Sequence, residues 1–253
     1  MSNLKDFCVY DIETIPRPIF ETHGQTERLY EHHFLSLSCT SYINVKYLQK
    51  YFVIKDDSPK SVERCVDDFV DYLKYLQSTL KFSDRILLAE EILKEEIANE
   101  HKSPRKSQKI KCLHWLQRQM KLHVFGFNSS RYDAPVLRKP LLKKLTEDGE
   151  NMNISVIFKG SALFHIQTNE LRFMDIMSFT VPCSMDDFVK TWLGKSVKLP
   201  YPYEDFTSVE EIVICKEYPT LEQFQTKMKP IDRVDSYELF SSTNGSTHML
   251  YAY

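Results

Sequence analysis

The sequence predicts a mixed α/β sheet with one long crossover connection. Two observations carry this. Short runs rich in β-branched and aromatic residues dominate the beginning of the chain, and a strand-then-helix unit follows near its middle. The composition agrees: of 253 residues, 42% are apolar and 27% charged, an ordinary globular balance with enough chain for a sizeable core. Aromatic residues at 13% exclude intrinsic disorder as the main state.

Phe7-Cys8-Val9-Tyr10 reads as a short strand buried on both faces, followed by Asp11-Ile12-Glu13 and a breaker at Pro16-Arg17-Pro18. Residues 34–43 and 48–54 read as two more strands. Ser58-Pro59 opens a helix, with serine as N-cap and proline in the first turn. Its core face is Val62, Val66, Phe69, Leu73 and Leu76. Two further helices are expected over 83–99 and 108–120, split by the basic stretch from Lys102. Together they form a peripheral insertion over about 80–121.

His123 to Phe127 is another strand, and a helix is expected over 134–145. Strands follow at 153–158, 162–167 and 171–176, the last two joined by a turn at Thr168-Asn169-Glu170. Ser184 to Asp187 resembles a capping box, opening a helix that stops at Gly194. Pro200, Pro202, Pro219 and Pro230 then break up regular structure.

The net charge of −2 does not demand a polyanionic partner. Basic residues are local instead: five between Lys102 and Lys111, and a second group at Arg138, Lys139, Lys143 and Lys144. The six cysteines form no C-x-x-C pair, which disfavours a zinc ribbon and suits reduced, mostly buried thiols in an intracellular protein. No glycine-rich nucleotide fingerprint, apolar leader or 18-residue apolar run occurs, so no membrane partner is expected.

The chemistry concentrates in two places. Asp11 and Glu13 are two apart on a strand, so both carboxylates share a face just past the core. Hard oxygen donors at that spacing suit Mg²⁺ or Mn²⁺. A D-x-E alone carries little weight, since a second one, Asp148-Gly149-Glu150, lies in a glycine-containing loop and reads as a solvated turn. The second place is Gly126-Phe127-Asn128-Ser129-Ser130-Arg131-Tyr132-Asp133, also at a strand end. Asn128 offers an amide, Arg131 a phosphate partner, Tyr132 a stacking ring and Asp133 a carboxylate. The plainer alternative is that Asn128 and Ser129 only cap the following helix.

"VYDIET" and "VFGFNSSRYDAPVL" resemble the first two exonuclease motifs of family B DNA polymerases. "LRFMDIMSF", "SMDDFVKTWLG" and "KLPYPYEDFTSVEEI" resemble the protein-primed branch found in viruses, linear mitochondrial plasmids and Maverick/Polinton transposons. The resemblance spans about residues 5 to 240. It implies a ribonuclease H-like fold and a two-metal 3′–5′ proofreading exonuclease. Asp11, Glu13 and Asp133 would bind the metals, and Lys198 would assist near the catalytic site. Asn128 and Tyr132 would hold a single-stranded 3′ end. A terminal protein primer would partner the whole polymerase.

Two departures qualify this. Ile176-Met177 stand where the family has Ser-Leu after the aspartate. The family's third exonuclease motif, Y-x-x-x-D on a helix, is matched only by Tyr201 to Asp205, which Pro202 interrupts. Polymerase motifs are absent too. The resemblance therefore implies an exonuclease domain over 1–200 and an incomplete connecting segment over 201–253, from a polymerase continuing past Tyr253. The alternatives are a catalytically dead, single-stranded DNA-binding remnant of a mobile-element polymerase, or an unrelated α/β protein.

Overall fold

The computed structural model describes residues 6–23, 26–147, 154–159, 162–194 and 211. Lys198, the Tyr201 to Asp205 segment and Asp148-Gly149-Glu150 lie outside them. Among the described residues the strands are β1 (Phe7–His23), β2 (Thr26–Ile43), β3 (Lys46–Val53), β4 (Leu122–Gly126), β5 (Ser155–Lys159), β6 (Ala162–Gln167) and β7 (Leu171–Asp175). Among the same described residues the α-helices are α1 (Pro59–Ser78), α2 (Asp84–Asn99), α3 (Pro104–Gln119), α4 (Asp133–Glu147) and α5 (Met185–Leu193).

One mixed sheet results, in the order β3-β2-β1-β4-β7-β6-β5. β1 pairs antiparallel with β2 and parallel with β4, which in turn pairs parallel with β7. The long crossover from β3 to β4 carries α1, α2 and α3. Helix α1 packs on the sheet and on α4 through Val66, Phe69, Val70 and Leu73, all fully buried. Ser58 caps it, its hydroxyl accepting from the Ser61 amide at 3.2 Å. Helices α2 and α3 pair with each other; α2 buries no residue and α3 only Leu116, so this hairpin is peripheral.

Three local expectations are corrected. The first strand is neither short nor buried on both faces. Cys8, Tyr10 and Ile12 are buried, whereas Val9, Asp11 and Glu13 on the other face are only half-buried. It also continues through Pro16 and Pro18 to a hairpin, His23 pairing with Thr26. Prolines two apart present their nitrogens to the same strand edge. The ladder with β2 continues across both, Pro16 opposite His32 and Pro18 opposite Tyr30, while the ladder with β4 ends at Tyr10. Third, much of the basic stretch from Lys102 is the first half of α3, opened by Ser103 and Pro104.

The Arg17 guanidinium and the His33 ring both reach the Asp57 carboxylate, at 2.7 and 3.3 Å, tying the β1–β2 ribbon to the loop before α1. Cys8, Cys39 and Cys65 are free and buried, Cys112 is exposed and Cys183 half-buried. Among the described residues, no helix is long and apolar enough to cross a membrane.

Candidate functional site

The site forms where β4 and β7 end beside the middle of β1, so the acidic pair lies within that strand and not at the strand end expected from the sequence. Tyr10 pairs with Gly126, and Gly126 with Asp175, so the chain leaves β4 and β7 level with the start of the acidic pair on β1. Asp11 lies opposite Ser38 and Glu13 opposite Ser36 on β2, with a bulge between Glu13 and Thr14. A bulge re-aims side chains locally. Here it lets Thr14 and Ile15 both be buried in succession.

The turn after β4 folds back tightly. A Cβ at Gly126 would stand 2.5 Å from Ser129 Cβ and 3.0 Å from Tyr10 Cζ, so only glycine fits. Asn128 takes the left-handed conformation with φ 53°, which asparagine tolerates better than most residues. Its carbonyl accepts from the Arg131 and Tyr132 amides, at 3.2 and 3.3 Å. Asn128 and Arg131 are exposed.

Tyr132 reaches across to β1 and β2. Its hydroxyl lies 3.1 Å from Thr14 Oγ1 and 2.9 Å from His32 Nδ1, and Thr14 Oγ1 is itself 3.1 Å from that nitrogen. The Tyr132 and His32 rings meet edge to face at 5.4 Å. Tyr132 nonetheless stays 42% exposed, leaving ring surface open to a ligand. The two motifs are therefore joined directly, one residue beyond Glu13.

Asp133 starts α4 and is 2% exposed. It stands near the buried Tyr10 hydroxyl. Burial chiefly, then the charges of Asp133, Asp175 and Asp11, push the Tyr10 phenol above its ordinary range, and a hydrogen bond with Ser129 opposes this. Tyr10 is thus kept protonated, a neutral hub among three acids. Among the described residues, no three His, Cys, Asp or Glu side chains are grouped so as to hold a metal ion. Asp11 and Glu13 share one face of β1, while Tyr10, beside which Asp133 lies, is on the other.

Asp175, also 2% exposed, ends β7. Its two oxygens accept from the Ser130 and Met177 amides, each at 2.9 Å, clamping the turn to the strand end. Neither this clamp nor Tyr10, Thr14 and His32 is legible as a site feature in the sequence. The one local signal was adjacency, Tyr10 and Thr14 flanking the acidic pair. Asparagine at 175 keeps one acceptor and turns an NH₂ toward an amide donor. Asp175→Asn should therefore cost about 2 kcal/mol in urea unfolding and speed hydrogen exchange at the Ser130 amide. Unchanged exchange there would refute the clamp.

Neither a scan against protein-family models nor a search of curated proteins finds a match to this chain.

Proposed function

We propose that this chain is the 3′–5′ exonuclease portion of a protein-primed family B DNA polymerase, with a ribonuclease H-like fold. It would bind the single-stranded 3′ end of DNA and hydrolyse it with Mg²⁺ or Mn²⁺. The observation that carries this reading is the junction of the two motifs: the stretch of β1 bearing Asp11 and Glu13 is bonded through Thr14 to Tyr132. The placement of β1 between antiparallel β2 and parallel β4 supports it.

Asp11 and Glu13 suit a hard divalent cation, because Mg²⁺ is commonly held by one or two carboxylates with water and substrate phosphate completing its shell. Asp133, the third acid the resemblance adds, lies at the start of α4 near Tyr10. The ion would activate water and stabilise charge on the attacking and leaving oxygens. The chain's own residues do the positioning. Tyr132 presents its ring to a base, Arg131 its guanidinium to a phosphate, and Asn128 its amide to the strand. Asp175 and Gly126 hold the turn that carries them.

A second reading is a DNA-binding remnant without catalysis, because the one match to the third carboxylate motif, Tyr201 to Asp205, is interrupted by Pro202. A 5′-labelled oligo(dT) incubated with the protein and Mn²⁺ separates the two. Stepwise shortening from the 3′ end, stopped by chelator, is expected. Binding without shortening would establish the remnant, and neither would refute both.

A further inference from the structure

A second cluster of charge lies on the same sheet face as Asp11 and Glu13, away from the motif residues. His114, Gln117 and Arg118 of α3, then Lys121, enclose a cleft of about 440 Å³ against Ser155, Ile157, His165, Gln167 and Arg172. Among the described residues it is lined by three cations and no carboxylate. The Arg118 Nε donates to the His114 carbonyl at 3.1 Å, and the Lys121 ammonium donates to the Thr168 carbonyl. Arg172 Nε is buried without a hydrogen-bond partner among the described residues. No ion pair offsets any of the three within those residues.

Gathering like charges without a counter-charge is unfavourable, and the side chains register it. Burial first and Arg172 second lower the Lys121 ammonium, while burial and Arg118 lower Arg172 itself. Such an arrangement is stabilised when an anion enters, and arginines with a lysine are the usual phosphate partners. Register fixes where it lies. Phe7 aligns with His123 and His123 with Arg172, so Arg172 is two strands over from β1 and four residues back from Asp11. Strand spacing and rise then put the Cα atoms about 16 Å apart on one face.

We propose that this cleft binds a backbone phosphate of the single-stranded DNA whose end is engaged at Asp11 and Glu13, an inference that rests on the function proposed above. The position, a few nucleotides away along one face, favours a strand over a free phosphate.

The test is fluorescence anisotropy of labelled oligo(dT) at several salt concentrations, with EDTA to prevent digestion, plus calorimetric titration of inorganic pyrophosphate. Arg118→Gln/Arg172→Gln should weaken oligo(dT) binding at least tenfold and reduce the salt slope by about 0.7 per lost phosphate contact. Its melting temperature should not fall, since like-charge repulsion is relieved. Wild-type affinity and slope in the double variant would overturn the cleft and leave the proposed function standing. Pyrophosphate binding that needs both arginines, in a protein that binds no oligo(dT), would overturn both the strand assignment and the proposed function.

Discussion

Asp11→Asn should lower Mn²⁺-dependent shortening of oligo(dT) by about a thousandfold or more. An ion held by carboxylates contributes several kcal/mol of charge stabilisation in the transition state, and each 1.36 kcal/mol is about tenfold in rate. Asparagine is nearly isosteric and keeps an acceptor, so the loss is of charge and not of shape. Two controls separate this from unfolding. The side chain is half-buried on the sheet face away from the α1 core, so the melting temperature without metal should stay within about 2 °C of wild type. The wild type should melt higher in millimolar Mn²⁺, and the variant should lose most of that increment. Equal metal stabilisation in both proteins would show that Asp11 does not hold the ion.

A different titration tests the opposite end of the same face. His123 lies in β4, is buried, and stacks near Phe125 with centroids 6.3 Å apart. Burial chiefly, with the charge of Arg172, lowers its pKa to about 4. The unfolded state therefore binds the proton more readily. Stability should be full above about pH 6.5 and fall by about 3 kcal/mol as pH drops to about 4. His123→Phe should flatten that limb of the urea-midpoint profile. An equally steep profile in the variant would assign the loss to other groups.

The elements legible in the sequence were those with local signals. The Ser58-Pro59 start, the apolar face of α1 and the Gly194 stop are spelled out by caps and period, and each appears where expected. The site was legible as two motifs, and they do lie level with each other; the second ends β4 as expected, but β1 runs on to His23, so the acidic pair is in mid-strand and not at a strand end. What was not legible depends on partners distant in sequence. Whether Pro16 and Pro18 break a strand depends on the strand that pairs beside them, which no local window contains. The Asp175 clamp joins residues 45 positions apart, and the Tyr132–Thr14 bond residues 118 apart. The cationic cleft is assembled from α3, the end of the crossover and three strands, so its charges look scattered along the chain.

Phe69→Ala should be the most destabilising of these substitutions. The ring is fully buried under the sheet, 5.9 Å from Tyr10 and 5.7 Å from Phe52, the latter edge to face. Truncating such a ring costs about 3–5 kcal/mol in transfer and cavity terms. Lost ring pairing adds about 0.5–1.5 kcal/mol per contact. Against a total stability of about 5–15 kcal/mol, the variant is at risk of unfolding at 37 °C. Phe69→Leu keeps most of the volume and should stay folded, losing about 1–2 kcal/mol. Its effect should reach the site, because Phe69 supports Tyr10 and Tyr10 underlies the turn at Gly126 and Ser129. Hydrogen exchange at the Ser130 amide should then rise more in Phe69→Leu than in Leu116→Ala, which weakens the peripheral α3 instead. Equal exchange in the two would mean that the Asp175 clamp alone holds the turn and that the core beneath Tyr10 is not coupled to it.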